Sequence, residues 1–211
     1  MGMIAFHGDK KIKSRYIARV EAHRKADELV QGIGWESNGV TRGCGIGCTF
    51  DAYDHSRGPI EIGVPVHLMY LEDAIFEGLP EADALKWPTR FLKAIQPGAD
   101  LSLVWPRFAV WMLTDAKCGV IRFAGNYADV RQSIERVSAL WRRVIDGESV
   151  ESLSGEFAAA AAAAAAARWS ADAARWSAVA ARTVHWRACA EKCIDLIADC
   201  QPVKSLGKET E

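Results

Sequence analysis

The sequence centres on Arg42-Gly43-Cys44-Gly45-Ile46-Gly47-Cys48-Thr49, where glycines alternate with apolar residues and two thiols. The surrounding segment, Gly39 to Asp73, adds His55 and several carboxylates. From Gly32 to Pro65 the apolar residues lose their periodic spacing and glycine recurs, so we predict a long irregular loop. A loop of this length inside a compact domain is typical of a functional segment.

Helical patterns lie on both sides of this loop. Apolar residues recur at helical spacing from about Asp9 to Gln31, with Asp9 as the N-cap and Gly32 ending the helix. Tyr16, Arg19 and His23 on this helix are expected to face the loop. The segment from Asp100 to Asp115 is apolar on nearly every side, which indicates a central buried helix.

The last third of the chain is rich in alanine, with ten consecutive alanines from residue 158 to residue 167. Alanine is the best helix former, so this part is predicted to be a long helix. Two copies of Arg-Trp-Ser-Ala follow the alanines seven residues apart, a spacing that keeps like residues on one stripe of a helix. They contain Arg168, Trp169, Arg175 and Trp176.

Together these patterns predict an all-α fold, a helical bundle with a long irregular N-terminal loop and a long alanine-rich C-terminal helix. Three regions are expected. They are a helical domain over residues 1–147, the long helix packing on it over residues 148–201, and a disordered tail over residues 202–211.

Composition excludes several classes of protein. The 26 basic and 27 acidic residues nearly cancel, so neither a general nucleic-acid footprint nor DNA-like acidity is present. No apolar run is long enough to span a membrane, and the N-terminus lacks the pattern of a secretory signal. The six cysteines occur mostly in close pairs, which favours reduced thiols in a cytoplasm. We therefore expect a cytoplasmic protein.

The alternating glycines do not predict a phosphate-binding loop. The third glycine of a Gly-x-Gly-x-x-Gly motif is missing, and no Gly-Lys-Ser or Gly-Lys-Thr follows. Nucleotide binding through these motifs is therefore excluded.

A zinc site is one alternative for the thiols, and no other cofactor is expected. Cys44 and Cys48 could bind zinc with His55 and one further ligand. Cys189 and Cys193, four residues apart on a helix, could instead complete a four-cysteine site with the loop. The simpler interpretation is that these cysteines are small buried hydrophobic residues.

A second alternative is nucleophilic catalysis by Cys44 or Cys48, with His55 or His23 as the base and Asp51, Asp54 or Asp27 as the acid that orients the base. The local signatures of cysteine proteases are absent, so an enzyme is the less favoured interpretation.

Acidic residues are concentrated in and after the loop, whereas the first helix is basic. Such a surface can attract a basic protein partner. The predicted binding residues are Asp51, Asp54, Glu61, Glu72, Asp73 and Glu77, together with Arg168, Trp169, Arg175 and Trp176 of the repeats.

Several motifs of the N-terminal half together make the chain similar to a known group of proteins. They are His7, Tyr16, Arg19, His23 and Asp27; Gly43-Cys44 and Gly47-Cys48-Thr49; Asp54-His55-Ser56; Ile62-Gly63-Val64-Pro65; and residues 71–80. With the alanine-rich C-terminal helix, they make the chain resemble a family of phage and prophage proteins. The resemblance implies a small cytoplasmic protein of a bacterial host cell, encoded by a mobile element, for which inhibition of a host protein is a common role. It implies no catalytic residue.

The leading hypothesis is therefore a phage-encoded accessory protein that binds and inhibits a bacterial defence protein, as an anti-CRISPR or similar anti-defence protein. The expected partner is a host protein, with no membrane and no direct nucleic-acid contact. One alternative is a zinc- or cysteine-dependent enzyme that uses Cys44, Cys48 and His55. The other is a homo-oligomeric structural protein assembled through the repeats.

Overall fold

The computed structural model describes residues 3–161 and 179–203. Within these ranges helices dominate and the β-structure is limited to one two-stranded sheet and two isolated bridges, which confirms the all-α prediction. The α-helices are α1 (Lys10–Lys25), α2 (Gly45–Phe50), α3 (Val66–Gly78), α4 (Glu81–Ala84), α5 (Trp87–Ala94), α6 (Val104–Thr114), α7 (Ala128–Ile145), α8 (154–161) and α9 (Val179–Ala198). The strands are β1 (Trp35–Glu36) and β2 (Arg42–Gly43), and shorter helical turns cover Ala5–Gly8, Gly58–Ile62 and Val120–Phe123.

The chain divides into two compact units. Of the described residues, 3–102 and 193–203 form the first unit, and the intervening chain from Leu103 to Lys192 contains the second. The sequence placed the division at residue 147, after α7. In the structure α7 packs on α6 and belongs with it to the second unit.

Helix α1 begins where the sequence predicts and ends earlier. The Asp9 carboxylate accepts a hydrogen bond from the Lys11 backbone N–H at 2.6 Å, which confirms the N-cap. The helix ends at Lys25 rather than Gln31, because Asp27 adopts a left-handed conformation with φ of 56°. The following residues run beside β2, where the Val30 N–H donates to the Gly43 carbonyl at 2.9 Å.

The segment predicted as an irregular loop contains regular structure. It contains the β1–β2 pair, helix α2 and the turn at Gly58–Ile62. Every residue of α2 is buried. The prediction of an irregular loop was wrong for α2. Its glycines interrupt the helical spacing of apolar residues in the sequence, but in the structure they allow close packing. A Cβ atom on Gly47 would lie closer than 3.0 Å to the Gly34 carbonyl oxygen, a separation that real Cβ atoms essentially never show.

The core of the first unit lies among α1, α2, α3 and α5. Its largest buried side chains include Tyr16, Phe50, Phe76, Trp87 and Phe91. The Trp87 indole N–H donates to the backbone carbonyl of Glu72 at 3.0 Å, which fixes α5 against α3. Burial of such aromatic side chains is the main stabilising contribution to this unit.

Both ends of the first unit meet at Gly98 and Ala99. The Ala5 N–H donates to the Ala99 carbonyl at 2.9 Å, and the Val203 N–H donates to the Gly98 carbonyl at 2.9 Å. Pro202 and Val203, predicted to begin a disordered tail, are therefore paired with the core. The remainder of that predicted tail lies outside the described residues.

In the second unit, aromatic contacts join three helices. Trp105 of α6 meets Trp141 of α7 edge-on at 6.2 Å between ring centroids, and Trp141 lies 4.8 Å from Phe157 of α8. Helix α6 buries Val104, Pro106, Phe108 and Ala109, while its C-terminal half is partly exposed. The prediction of a central buried helix is therefore wrong, because α6 buries only one side and leaves the other partly exposed.

The predicted long alanine-rich helix is described at its two ends. Residues 154–161 and Val179–Ala198 are helical. Arg168, Trp169, Arg175 and Trp176 lie outside the described residues, so their predicted binding role remains a prediction.

Substitution of Gly47 by alanine should destabilise the first unit. The added methyl group would overlap the Gly34 carbonyl, and backbone atoms cannot yield as a flexible side chain can. We expect a loss of about 2 kcal/mol or more in the free energy of unfolding, measured by urea denaturation.

Gly155→Ala is the matched control. No atom lies within 4 Å of a Cβ built at Gly155, which is in α8. This variant should be neutral or stabilised by up to about 1 kcal/mol. Equal stability of the two variants would contradict the close packing of α2.

Candidate functional site

The candidate site lies where α2 packs on α3. Cys44 precedes α2, and Asp73 lies in the middle of α3. The chain after α2 returns across this junction and adds Tyr53 and His55. Four chemically active side chains thus meet within the first unit.

Asp73 is at the centre of this group. Its Oδ2 atom accepts hydrogen bonds from the Tyr53 hydroxyl at 2.9 Å and from His55 Nε2 at 3.1 Å. Its Oδ1 atom is buried and has no hydrogen-bond partner among the described residues. One oxygen of the carboxylate is therefore held in place while the other retains free lone pairs.

His55 is held on both sides by aromatic rings. The Tyr70 ring stacks on the imidazole at 4.2 Å between centroids, and the Tyr53 ring meets it edge-on at 5.0 Å. His55 is buried, with 7% of the residue exposed. These contacts fix the ring so that Nε2 points at Asp73.

Glu72, the neighbour of Asp73, is a fully enclosed carboxyl group. Only 2% of the residue is exposed, and neither side-chain oxygen has a hydrogen-bond partner among the described residues. The carboxyl lies against Gly45, where a Cβ atom would come within 2.5 Å of Oε1. Burial, followed by the nearby charges of Asp73 and Glu77, raises the pKa of Glu72 well above its ordinary value.

The thiols of Cys44 and Cys48 are buried and protonated. Burial is the main cause that raises the pKa of Cys44, and the carboxylates of Asp73 and Glu72 act in the same direction. Burial, with the charges of Glu28 and Asp51, raises the pKa of Cys48 to about 12. A reactive cysteine needs surroundings that lower its pKa, and these surroundings do the opposite.

The predicted catalytic group of Cys44, Cys48 and His55 is not assembled as a nucleophile and base. His55 Nε2 is bonded to Asp73, whose carboxylate also acts on the Cys44 thiol. The Cys48 thiol points to backbone, where it donates to the Gly43 carbonyl at 3.4 Å.

Glu77 completes a set of potential metal ligands. One ligand atom each from Cys44, Asp73 and Glu77 lies within 4.8 Å of the others. Among the described residues this is the one such group of three, and it shares only Cys44 with the predicted set of Cys44, Cys48, Cys189 and Cys193. Within the second unit, the Cys189 thiol lies 3.5 Å from His185 Nε2.

The predicted acidic binding residues fall into two groups. Glu72 and Asp73 are buried, so the expectation that they contact a partner directly is wrong. They lie on the side of α3 that packs against α2. The many acidic residues in this part of the sequence had indicated that these side chains face solvent. Asp51, Asp54 and Glu77 are exposed, and Glu61 is partly exposed.

A polar cluster on α1 holds the end of α2, as the sequence predicted for Arg19 and His23. His23 lies between Glu28, at 2.6 Å from Nδ1, and Asp51, at 3.0 Å from Nε2. Arg19 pairs with Asp51 at 3.3 Å and donates to the Thr49 carbonyl at 3.0 Å. Basic side chains thus satisfy carbonyl groups at the helix C-terminus.

Arg57 and Glu61 extend this support. Arg57 donates to the Phe50 carbonyl and to the Glu61 carboxylate, and Glu61 also accepts from the Tyr16 hydroxyl. Although burial acts to raise the pKa of Glu61, the hydrogen bonds from Tyr16 and Arg57 outweigh it and the pKa is lowered. The charged form of Glu61 is therefore the one that stabilises this end of α2.

Tyr53, Tyr70 and Glu28 were missed as members of these clusters. The sequence held a signal for Tyr53, which lies two residues before His55, but none for Tyr70, which reaches His55 only because of how α3 packs. Glu28 gave no signal, because its role depends on the turn at Asp27.

Comparison of the chain with family models, curated proteins and solved structures finds no match. In the described part of the chain, none of the helices combines the length and the apolar character needed to cross a bilayer.

Thiol labelling of the native protein should separate the cysteines by burial. Cys44, Cys48, Cys189 and Cys193 are buried, whereas Cys118 and Cys200 are partly exposed. We expect a disulfide reagent to label the last two at least about tenfold faster, as followed by mass spectrometry of peptides. All six should react equally in denaturant. Fast labelling of Cys44 or Cys48 would instead restore the nucleophile hypothesis.

Glu61→Gln should weaken the protein in a pH-dependent way. The lowered pKa means that Glu61 contributes stability above the ordinary glutamate value of 4.5, and this contribution is lost as the pH falls through the lowered pKa. We expect a loss of about 1 kcal/mol at pH 7, measured by urea denaturation.

The difference between Glu61→Gln and the unmodified chain should shrink in acid, where both carry a neutral side chain. Glu81→Gln, at an exposed position, is the control and should lose less stability at pH 7 than Glu61→Gln. A difference that is constant with pH would show that the charge of Glu61 is not what stabilises α2.

Proposed function

We propose that this protein is a phage-encoded accessory protein that binds and inhibits a bacterial defence protein, either a CRISPR–Cas component or another defence factor. The observation that carries this proposal is an exposed aromatic and acidic face on α3. The resemblance of the chain to phage and prophage proteins supplies the biological setting.

The α3 face consists of Val66, Tyr70, Ala74 and Glu77, with Tyr53 beside it. The four helix residues are spaced by four, four and three positions, so they form one stripe along the helix. Tyr70 is 59% exposed and Tyr53 is 54% exposed. Because both rings contact His55, they belong to one continuous surface.

The chemistry of this face suits a protein partner. Tyrosine is enriched in protein interfaces, since it combines a large apolar ring with a polar hydroxyl. Tyr70 is stacked on His55 and Tyr53 is bonded to Asp73, so little side-chain entropy is lost on binding. Exposed carboxylates at Glu77 and Asp54 favour a partner with a basic surface.

The other hypotheses receive different support. A cysteine nucleophile loses support because the Cys44 and Cys48 thiols are buried and their pKa values are raised. Homo-oligomerisation through the repeats rests on residues 168–178, which lie outside the described ranges. The face on α3 therefore remains the best-supported contact surface.

Ala74→Arg is the variant that tests this proposal most directly. It places a long cationic side chain in the middle of the α3 face without removing an existing contact. In bacteria with a defined CRISPR–Cas or other defence system, the unmodified chain should raise the plating efficiency of a targeted phage. Ala74→Arg should reduce that gain at least about tenfold, because one misplaced charge in an interface costs more than 1.4 kcal/mol.

Ala82→Arg is the matched control, since Ala82 is exposed on α4 rather than on the α3 face. This variant should retain full activity, and both variants should show the circular dichroism of the unmodified chain. The proposal is wrong if the unmodified chain protects phage from none of the defence systems. If Ala74→Arg is as active as Ala82→Arg, the α3 face is not the contact surface.

A further inference from the structure

We propose that Cys44, Asp73 and Glu77 form a binding site for a divalent transition-metal ion, with zinc as the best match. Glu77 belongs to the α3 face and the other two ligands lie beneath it, but the proposal does not rest on the proposed inhibitory function. The ligand set differs from the four-cysteine site that the sequence suggested.

The first argument is the spacing of the ligand atoms. Atoms bound to one zinc ion at 2.0–2.3 Å in tetrahedral geometry lie roughly 3.3–3.8 Å apart. The Cys44 sulfur and one oxygen each of Asp73 and Glu77 already lie within 4.8 Å of one another. Side-chain movements of about 1 Å would bring the three atoms to the separations that one zinc ion requires.

The second argument is independent of that spacing. Glu72, beside these ligands, is 2% exposed as a residue, and its carboxyl group has no hydrogen-bond partner among the described residues. Its carboxyl group lies against Gly45, which follows the ligand Cys44. Burying a carboxyl group without a partner is costly, and a cation among these acids would offset that cost.

The third argument concerns which oxygens remain free. Tyr53 and His55 both donate hydrogen bonds to Oδ2 of Asp73. The buried Oδ1 of Asp73 has no hydrogen-bond partner among the described residues. The Gly32 backbone N–H donates to Oε2 of Glu77 at 2.8 Å, which leaves Oε1 for a ligand. Metal-binding carboxylates are oriented by outer hydrogen bonds in this way.

The donor set favours zinc over the hard cations. A thiolate is a soft ligand that suits zinc and related transition metals, whereas magnesium and calcium take oxygen ligands only. Binding would form a bond between zinc and the Cys44 sulfur, and the thiol proton would leave to solvent. With three protein ligands, the ion would keep one coordination position for water or a fourth group.

Glycine at position 45 has a defined role in this arrangement. Any side chain there would displace the Glu72 carboxyl, since a Cβ atom would lie 2.5 Å from Oε1 and 3.0 Å from Pro88 Cγ. The small residue after Cys44 thus allows a second carboxyl group to approach the thiol-bearing backbone.

Cobalt titration of the full-length, chelator-treated protein tests the proposal. Co²⁺ replaces zinc in such sites and gives an intense near-ultraviolet absorption when it binds a thiolate. We expect one Co²⁺ per chain with this absorption, displacement by Zn²⁺ and no displacement by Mg²⁺. Cys44→Ser should abolish the absorption, and Cys48→Ser, at a buried thiol outside the cluster, should retain it.

Glu77→Gln provides a second measurement if Cys44→Ser fails to fold, because Glu77 is exposed and its loss leaves the core intact. This variant should bind Co²⁺ at least about tenfold more weakly than Glu81→Gln. The proposal is overturned if the unmodified protein shows no thiolate absorption at saturating Co²⁺. It is also overturned if Cys48→Ser alone removes that absorption, or if Glu77→Gln binds as tightly as Glu81→Gln. These readouts report metal binding alone, so they are separable from the phage-plating result.

Discussion

The close approach of α2 to its neighbours is the constraint on which the first unit depends. The Gly34 carbonyl accepts a hydrogen bond from the Cys44 N–H at 3.2 Å and leaves no room for a side chain at Gly47. On the adjacent side, Gly45 admits the Glu72 carboxyl. Alternating glycines thus let one short helix touch a backbone carbonyl and a buried acid at the same time. The glycine pattern that would suggest a phosphate loop is explained by this packing.

That packing also fixes the electrostatics of the candidate site. Because α2 and α3 meet closely, two adjacent carboxyl groups and a thiol share one poorly solvated space, where burial and then the neighbouring carboxylates raise the pKa of the Cys44 thiol and of the Glu72 carboxyl. The carboxyl groups near Cys44 make its thiol a poor nucleophile. Together with that thiol, they are suitable ligands for a metal ion. Around them, Arg19 and Arg57 hold the end of α2 through the Thr49 and Phe50 carbonyls. The rigid support of this junction extends outward to the exposed tyrosines of the α3 face.

Much of the fold could be predicted from the periodic spacing of apolar residues in the sequence. The candidate site could be predicted only in part. The helical class, the N-cap at Asp9 and the contacts of Arg19 and His23 with the loop follow from local spacing. Helix α2 could not be predicted, because its two glycines, Gly45 and Gly47, serve tertiary contacts and have low helix propensity. The ligand set was missed for a related reason. Asp73 and Glu77 are four residues apart on α3. Their proximity to Cys44 depends on how α2 and α3 pack, which cannot be inferred from the sequence of either segment alone.

The pairing of residues 5, 98–99 and 203 bears on how the chain is synthesised. The first unit is complete only when the helical turn that begins at Ala5 and the C-terminal segment at Val203 have both paired with Gly98 and Ala99. Residues 193–203 leave the ribosome after the whole of the second unit. The N-terminal portion must therefore wait, incomplete, while about ninety residues are translated, which takes several seconds at ordinary rates of synthesis. During that interval its apolar surfaces lack their last partner, so chaperone capture of the nascent chain has its longest opportunity there.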